Sequence, residues 1–231
     1  MTIDEAILER HSVREYLDTP LSDELKEKIS LETERINQLA RVRFQAVFDD
    51  PSPFDSLLAK YGRFTNVRNY LCLVAGKSDL GDETVGYWGE HMALFLQMLG
   101  LNSCFVAMTF SKSKAKNKCI IEDGEKLYLV LAFGYGKTNG TGHKSKNISD
   151  VTLEEEGEDI PEWYRKGLEY ALLAPTNLNQ QKFVFSRTDD SVFVRASGGF
   201  YSSIDLGIVK YNFEVGAGKE NFVYRSTVKP V

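Results

Sequence analysis

Apolar positions along this chain recur at helical spacing in some stretches and in blocks or alternation in others, and the two patterns take turns. Residues 3–10 set Ile3, Ile7 and Leu8 on one side of a short helix. "LSDELKEKISLETERINQLA" (21–40) predicts a longer one: Ser22 is a candidate N-cap, acids follow it, and Leu25, Ile29, Ile36 and Leu39 form a stripe. "VRFQAVFDD" reads as a strand entering a polar turn, and "NYLCLVAGK" (69–77) as a better-buried strand. Beyond Glu90, "ETVGYWGEHMALFLQMLGLN" (83–102) is apolar almost all round, the mark of an enclosed helix, and Gly100 stands where it should stop. "SCFVAMTF" and "KLYLVLAFGYG" read as strands. The acidic "LEEEGEDIPEW" (153–163) reads as a solvated connector leading into a helix at Pro161, rather than as an interaction motif.

After that connector come helix "PEWYRKGLEYALLA", loop "PTNLNQQ", strands "KFVFSRTDD" and "SVFVRASGG", helix "SSIDLGIVKYNFEVG" and a last strand, "NFVYRST". The same order runs through the first part of the chain. Sliding one copy by 140 positions pairs Asp49-Asp50 with Asp189-Asp190 and Asn37 with Asn177. The expectation is one body made of two related α+β units, residues 1–150 and 151–231, fused as a pseudo-dimer.

Composition narrows the function classes. With 42% hydrophobic and 26% charged residues among 231, the chain can bury a sizeable core. A net charge of -5 argues against a nucleic-acid binder, which carries a basic face. "MTIDEAILER" is acidic and lacks the apolar core of a secretory signal, and no apolar run reaches membrane-spanning length, so a cytoplasmic protein without membrane contact is expected. Cys72 and Cys104 sit in apolar runs and read as reduced core residues. His11, His91 and His143 are scattered without metal-ligand spacing, so no metal is expected, and His91 reads as a hydrogen-bonded core residue.

Three stretches carry candidate chemistry. In "RHSVRE", Ser12 and Glu15 spell a helix capping box, while Arg10, His11, Ser12 and Arg14 together offer the donors an anion needs. "TGHKSKN" (141–147) adds Lys144 and Lys146, either as a solvated loop or as further cations. In "ALLAPTNLNQQKF" (171–183), Pro175 must end the preceding helix. Thr176, Asn177, Asn179, Gln180 and Gln181 then form either a loop of local turns or a surface for a planar, heteroatom-rich ligand.

Taken together, these residues resemble the flavin-dependent nitroreductases. Arg10-His11-Ser12-Val13-Arg14 matches that family's Arg-Arg-Ser-x-Arg, and Ala174 to Gln181 matches its Ala-Pro-Ser/Thr-x-x-Asn-x-Gln loop. "GYWGEHMALFLQMLGLNSCFVAM" resembles the buried interface helix and following strand, and "LAFGYGK…HKSKN" the Gly-Tyr strand with its basic pair. The likeness spans residues 7–217. In ordinary members the loop follows soon after the arginine motif, and two subunits build each site. Here the loop lies in the second unit, as in a smaller branch with "GYxGE", "APTxxNQQ" and "DLGIxxxHFE". The resemblance implies an α+β nitroreductase-like fold, with a mixed or antiparallel sheet and flanking and central buried helices. It also implies a site completed by one monomeric chain.

By the same resemblance, Arg10, His11 and Ser12 would hold the phosphate and ribityl chain of FMN, with Arg14 over the ring's polar edge and Lys144 and Lys146 completing the phosphate contacts. Pro175, Thr176, Asn177 and Asn179 would face them, and Met108 and Thr109 would offer backbone N–H groups near the ring. NAD(P)H would be the electron donor and an electron-poor small molecule, such as a nitroaromatic or quinone, the acceptor. No catalytic side chain is required. A flavin-storage protein or a flavin-free scaffold of the same fold is the competing class. Two departures stand out: His11 replaces the commoner Arg, and Asn212 stands where the branch shows His.

Overall fold

Thr2 opens the first helix. Its hydroxyl accepts from the Glu5 N–H while the Glu5 carboxylate accepts from the Thr2 N–H, a capping box that starts α1 (Ile3–Glu9). The computed structural model describes residues 1–154 and 160–225. α2 (Asp23–Ala40) is capped by Ser22, whose hydroxyl accepts from the Leu25 N–H, and buries Ile29 and Ile36. Then follow β1 (Arg43–Val47), α3 (Leu57–Tyr61), β2 (Asn69–Gly76), α4 (Asp79–Met98), β3 (Asn102–Val106), α5 (Lys112–Lys116) and β4 (Glu125–Gly134). The second part holds α6 (Glu162–Ala171), β5 (Phe183–Thr188), β6 (Ser191–Ala196), α7 (Ser202–Ala217) and β7 (Val223–Arg225).

The strands form two sheets. One is antiparallel throughout, in the order β1-β2-β4-β3, and the other runs β5-β6-β7 with β7 parallel to β6. The fold is therefore α+β, with a mixed set of strands. α4 and α7 run through the middle and meet backbone to backbone at Gly86 and Gly207. A continuous apolar core joins the two parts of the chain, taking Leu71, Leu73 and Leu131 from one and Phe183, Phe185 and Phe213 from the other.

Three differences from the sequence reading have physical causes. No helix begins at Ser12. The chain from Arg10 runs extended, Ser12 bridges Ser103 in parallel, and the Val13 and Tyr16 N–H groups donate to Ser103 and Thr65. Val13 and Tyr16 are both buried that way, which outweighs a local cap. α4 begins before residue 83, at a Ser78 cap whose hydroxyl accepts from the Gly81 N–H. α3 and α5, five residues each, are too short to show a period. Part of the acidic connector, residues 155–159, lies outside the described residues.

The 140-position offset aligns the starts of β1 and β5 but not the two central glycines, which are more closely spaced. The difference arises in one place. β1 and β2 are joined by a long excursion that includes α3, whereas β5 and β6 turn through Asp189-Asp190 alone. Asp49 and Asp189 both adopt positive φ, 54° and 52°, at the exits of their strands.

Candidate active site

Where the first extended segment passes the second part of the chain, a cleft of about 920 Å³ opens, within the range of small-ligand sites. One wall is the strip from Arg10 to Glu15, held flat by its bridge to β3. The end of β3 and the turn beyond it contribute Val106 to Thr109. The opposite wall is the loop from Pro175 to Asn179, backed by Ile204, Asp205 and Ile208 of α7.

Ten of the twelve expected site residues therefore border one cleft: Arg10, His11, Ser12, Arg14, Met108, Thr109, Pro175, Thr176, Asn177 and Asn179. Lys144 and Lys146 stand outside its lining. The Lys146 Nζ donates to the Gln181 carbonyl at 2.9 Å, and the Lys144 carbonyl accepts from the Asn179 Nδ2 at 2.9 Å. The cations that border the cleft instead are Arg63 and Lys137, the latter 3.7 Å from Glu15. Arg63 escaped the sequence reading because it sits in a turn at positive φ, 59°, with no periodic neighbour. Asp205 was also missed as a site residue, although it begins the "DLGI" run.

The polar loop turns out to be largely self-satisfied. Gln181 is buried; its amide donates to the Leu172 carbonyl at 2.7 Å and accepts from the Lys146 N–H at 2.8 Å, and its own N–H donates to the Thr176 hydroxyl. Both oxygens of Asp205 accept from the Asn177 N–H at 3.0 Å, fixing the loop to α7. Burial pushes the Asp205 carboxyl up to about 7. The side-chain oxygen of Asn179 is buried and without a partner among the described residues.

Arg10 is buried, and its Nε lies 3.7 Å from Oε1 of Glu90, which is fully buried on α4. Burial pushes the Glu90 carboxyl up to about 7, against the opposing pull of Arg10 and Asn212. With the Asn212 amide turned so that its nitrogen faces Glu90, it donates to Oε1 at 3.2 Å and accepts from the Ala174 N–H at 3.3 Å. A polar chain thus runs from Arg10 through Glu90 and Asn212 to the residue before Pro175. His11 is held below its ordinary value by burial first, then by Arg10 and His143. Arg14 lies 6.0 Å from the Phe64 ring centroid and has no ion-pair partner among the described residues. His91 bonds to the Tyr211 hydroxyl and to Glu32, away from the cleft. Among the described residues no cluster suited to a metal ion occurs, and no helix is long and apolar enough to cross a membrane.

Residues 2–217 match the family model described as "Putative TM nitroreductase". The chain belongs to this nitroreductase family. Membership supports an oxidoreductase role. Among solved structures, it is similar to a putative nitroreductase of Thermotoga maritima at 23% identity and a TM-score of 0.68, covering 95% of this chain and 85% of that one. A putative nitroreductase of Desulfovibrio desulfuricans, solved in complex with FMN, is 19% identical with a TM-score of 0.54, over 68% of this chain and 99% of that one. The FMN and NADPH-dependent nitroreductase NfnB, derived from Sphigopyxis sp. strain HMH, is 16% identical with a TM-score of 0.50, over 68% of this chain and 100% of that one. These likenesses establish the nitroreductase fold. A search of curated proteins finds no match.

Proposed function

We propose that this nitroreductase-family protein binds FMN in the cleft and carries reducing equivalents from NAD(P)H to an electron-poor small molecule, such as a nitroaromatic or quinone. The observation that carries the reading is the meeting of the Arg10–Arg14 strip and the Pro175–Asn179 loop across one cleft. The donor set fits the cofactor. A phosphate ester needs fixed cations and hydroxyls, which Arg10, His11, Ser12 and Arg14 offer. Arg63 takes the place proposed from sequence for the loop lysines.

FMN, when bound, supplies the hydride chemistry between donor and acceptor. The chain's own residues bind and orient. Arg14, which has no ion-pair partner among the described residues, would favour negative charge near the ring's polar edge, and Ile204 and Ile208 keep water from one side of the cleft. Asp205 holds the loop at Asn177, so that Thr176 and Asn179 keep a fixed distance from the opposite wall.

Both walls come from one chain, which favours a monomeric, pseudo-dimeric arrangement; the reciprocal contact of Gly86 and Gly207 agrees with it. Loading the protein with FMN, removing the excess and recording the visible spectrum tests the reading. Retained flavin bands that bleach with NADH or NADPH and return with an acceptor support it. Bands that persist without turnover point to storage, and a protein that takes up no FMN refutes it. A sedimentation mass of two chains speaks against the monomer.

A further inference from the structure

Glu90 is the least expected charge in this molecule. It is fully buried on α4, and its Oε2 has no hydrogen-bond partner among the described residues. Its ion-pair partner is Arg10, at the end of α1, which is itself buried yet borders the cleft. From α7 the Asn212 amide faces it, while the neighbouring Tyr211 hydroxyl is bonded to His91. The α2 acid Glu32 is engaged with Arg35 and His91. β2 and β3 contain no charged residue, and the Glu125 and Lys126 of β4 are tied to Arg43 and Asp82. Arg10 and Glu90 thus form a buried pair that balances itself while no anion stands beside it.

A phosphate monoester drawn to Arg10 upsets that balance. Two anionic groups then share one guanidinium, and a like charge nearby disfavours the ionised form of a carboxyl. Removing the phosphate's charge is the harder route, because above its second pKa of about 6 it is a dianion. Protonating Glu90 is the easier route: among the described residues Oε2 makes no bond that a proton would break.

We propose that Glu90 is a positioning and charge-compensating residue of the anion site, holding Arg10 at the cleft wall in the free protein and taking up a proton from solvent when a phosphate ester binds. This rests on the reading of the cleft as a flavin-phosphate site. Burial has already brought the carboxyl up to about 7, so the uptake falls near neutral pH. His11, also bordering the cleft and held below its ordinary value, is the second group that gains a proton as an anion approaches. Glu90→Gln separates the two, since it keeps an amide toward Arg10 and Asn212 but cannot titrate.

The experiment is calorimetric titration of FMN into the protein, in buffers of different ionisation enthalpy at about pH 7.5. In parallel, the carboxyl carbon signal of Glu90 is followed by NMR in the unmutated protein. The expected result is net proton uptake by the native chain, most of it lost in Glu90→Gln with any remainder belonging to His11. Native FMN affinity should also fall as pH rises above neutrality, while that of Glu90→Gln stays nearly flat. Equal uptake in both proteins, or none in the native one, overturns the proposal. If FMN does not bind at all, the flavin reading fails separately, and inorganic phosphate serves as the probe. A Glu90 titration shifted upward by phosphate supports the compensating role; one unmoved by either ligand overturns it.

Discussion

Gly86 of α4 and Gly207 of α7 rest on each other's helices. A Cβ on Gly86 would lie 1.9 Å from the Ile204 carbonyl oxygen, and one on Gly207 would lie 2.0 Å from the Glu83 carbonyl oxygen. Each glycine thus covers the carbonyl three positions before the other. No side chain fits there, and the close crossing lets Glu90 and Asn212, one turn farther along, touch.

Gly207→Ala should therefore push the central helices apart. The atom it meets is backbone, which yields less readily than a side-chain end. The expected loss is at least about 2 kcal/mol of stability, at the upper part of the overpacking range. Urea unfolding measures it, and an unchanged midpoint would contradict the crossing.

Arg14→Ala should weaken FMN binding about tenfold to a hundredfold, the worth of one charge-assisted hydrogen bond of about 1.5–3 kcal/mol. Lys144→Ala, by contrast, removes an exposed side chain outside the cleft lining and should change affinity by no more than about twofold. Fluorescence titration of both variants against the native chain decides the assignment; equal losses would restore the loop lysine to the phosphate.

Gln181→Ala leaves the Lys146 N–H without its partner and takes the shortest of three donors from the Leu172 carbonyl, which keeps His143 and Ser145. It should lower stability by about 1–3 kcal/mol and loosen the loop on the ligand side. Thermal unfolding with and without FMN is the check: the variant should gain less from the ligand than the native chain does.

Stability should also depend on pH through Asp205 and Glu90. Burial raises both carboxyls to about 7, from ordinary values of 3.8 and 4.5. Between those limits the folded chain binds more protons than the unfolded one, so this contribution to stability falls as pH rises toward about 7 and levels off above it. Asp4, Glu32, Asp50 and Glu125 are shifted the other way, so their stabilising effect is lost at lower pH, as acid protonates them. Asp205→Asn should shrink the stability difference between pH 5 and pH 8, read from urea midpoints at roughly those values. A difference as large as the native one would remove Asp205 from the account.

The helices longest in period were the most legible. Ser22 and the stripe through Ile29 and Ile36 placed α2, and the unbroken apolar face beyond Glu90 announced α4. Thr2-x-x-Glu5 and Ser12-x-x-Glu15 show why local motifs do not decide alone. Both spell a capping box, but only the first is followed by a helical stripe; the second leads into Val13 and Tyr16, which the core claims on an extended chain. In the site, the two walls were readable from their polar clusters. The interior link between them was not, because Glu90 and Asn212 lie far apart in sequence and meet only where the two glycines let the helices close. Arg63 escaped for another reason: it sits at positive φ in a turn, a geometry its residue type does not advertise.

The cleft takes both of its walls from a single chain, and that changes what a substitution does. In a symmetric homodimer with shared sites, any replacement enters two sites at once, and a residue useful on one side of the interface is imposed on the other. Here a change at Thr176 alters one wall of one cleft and leaves Ser12 opposite it untouched. The two sides can diverge independently, so this architecture is free to tune either wall without compromise with the other.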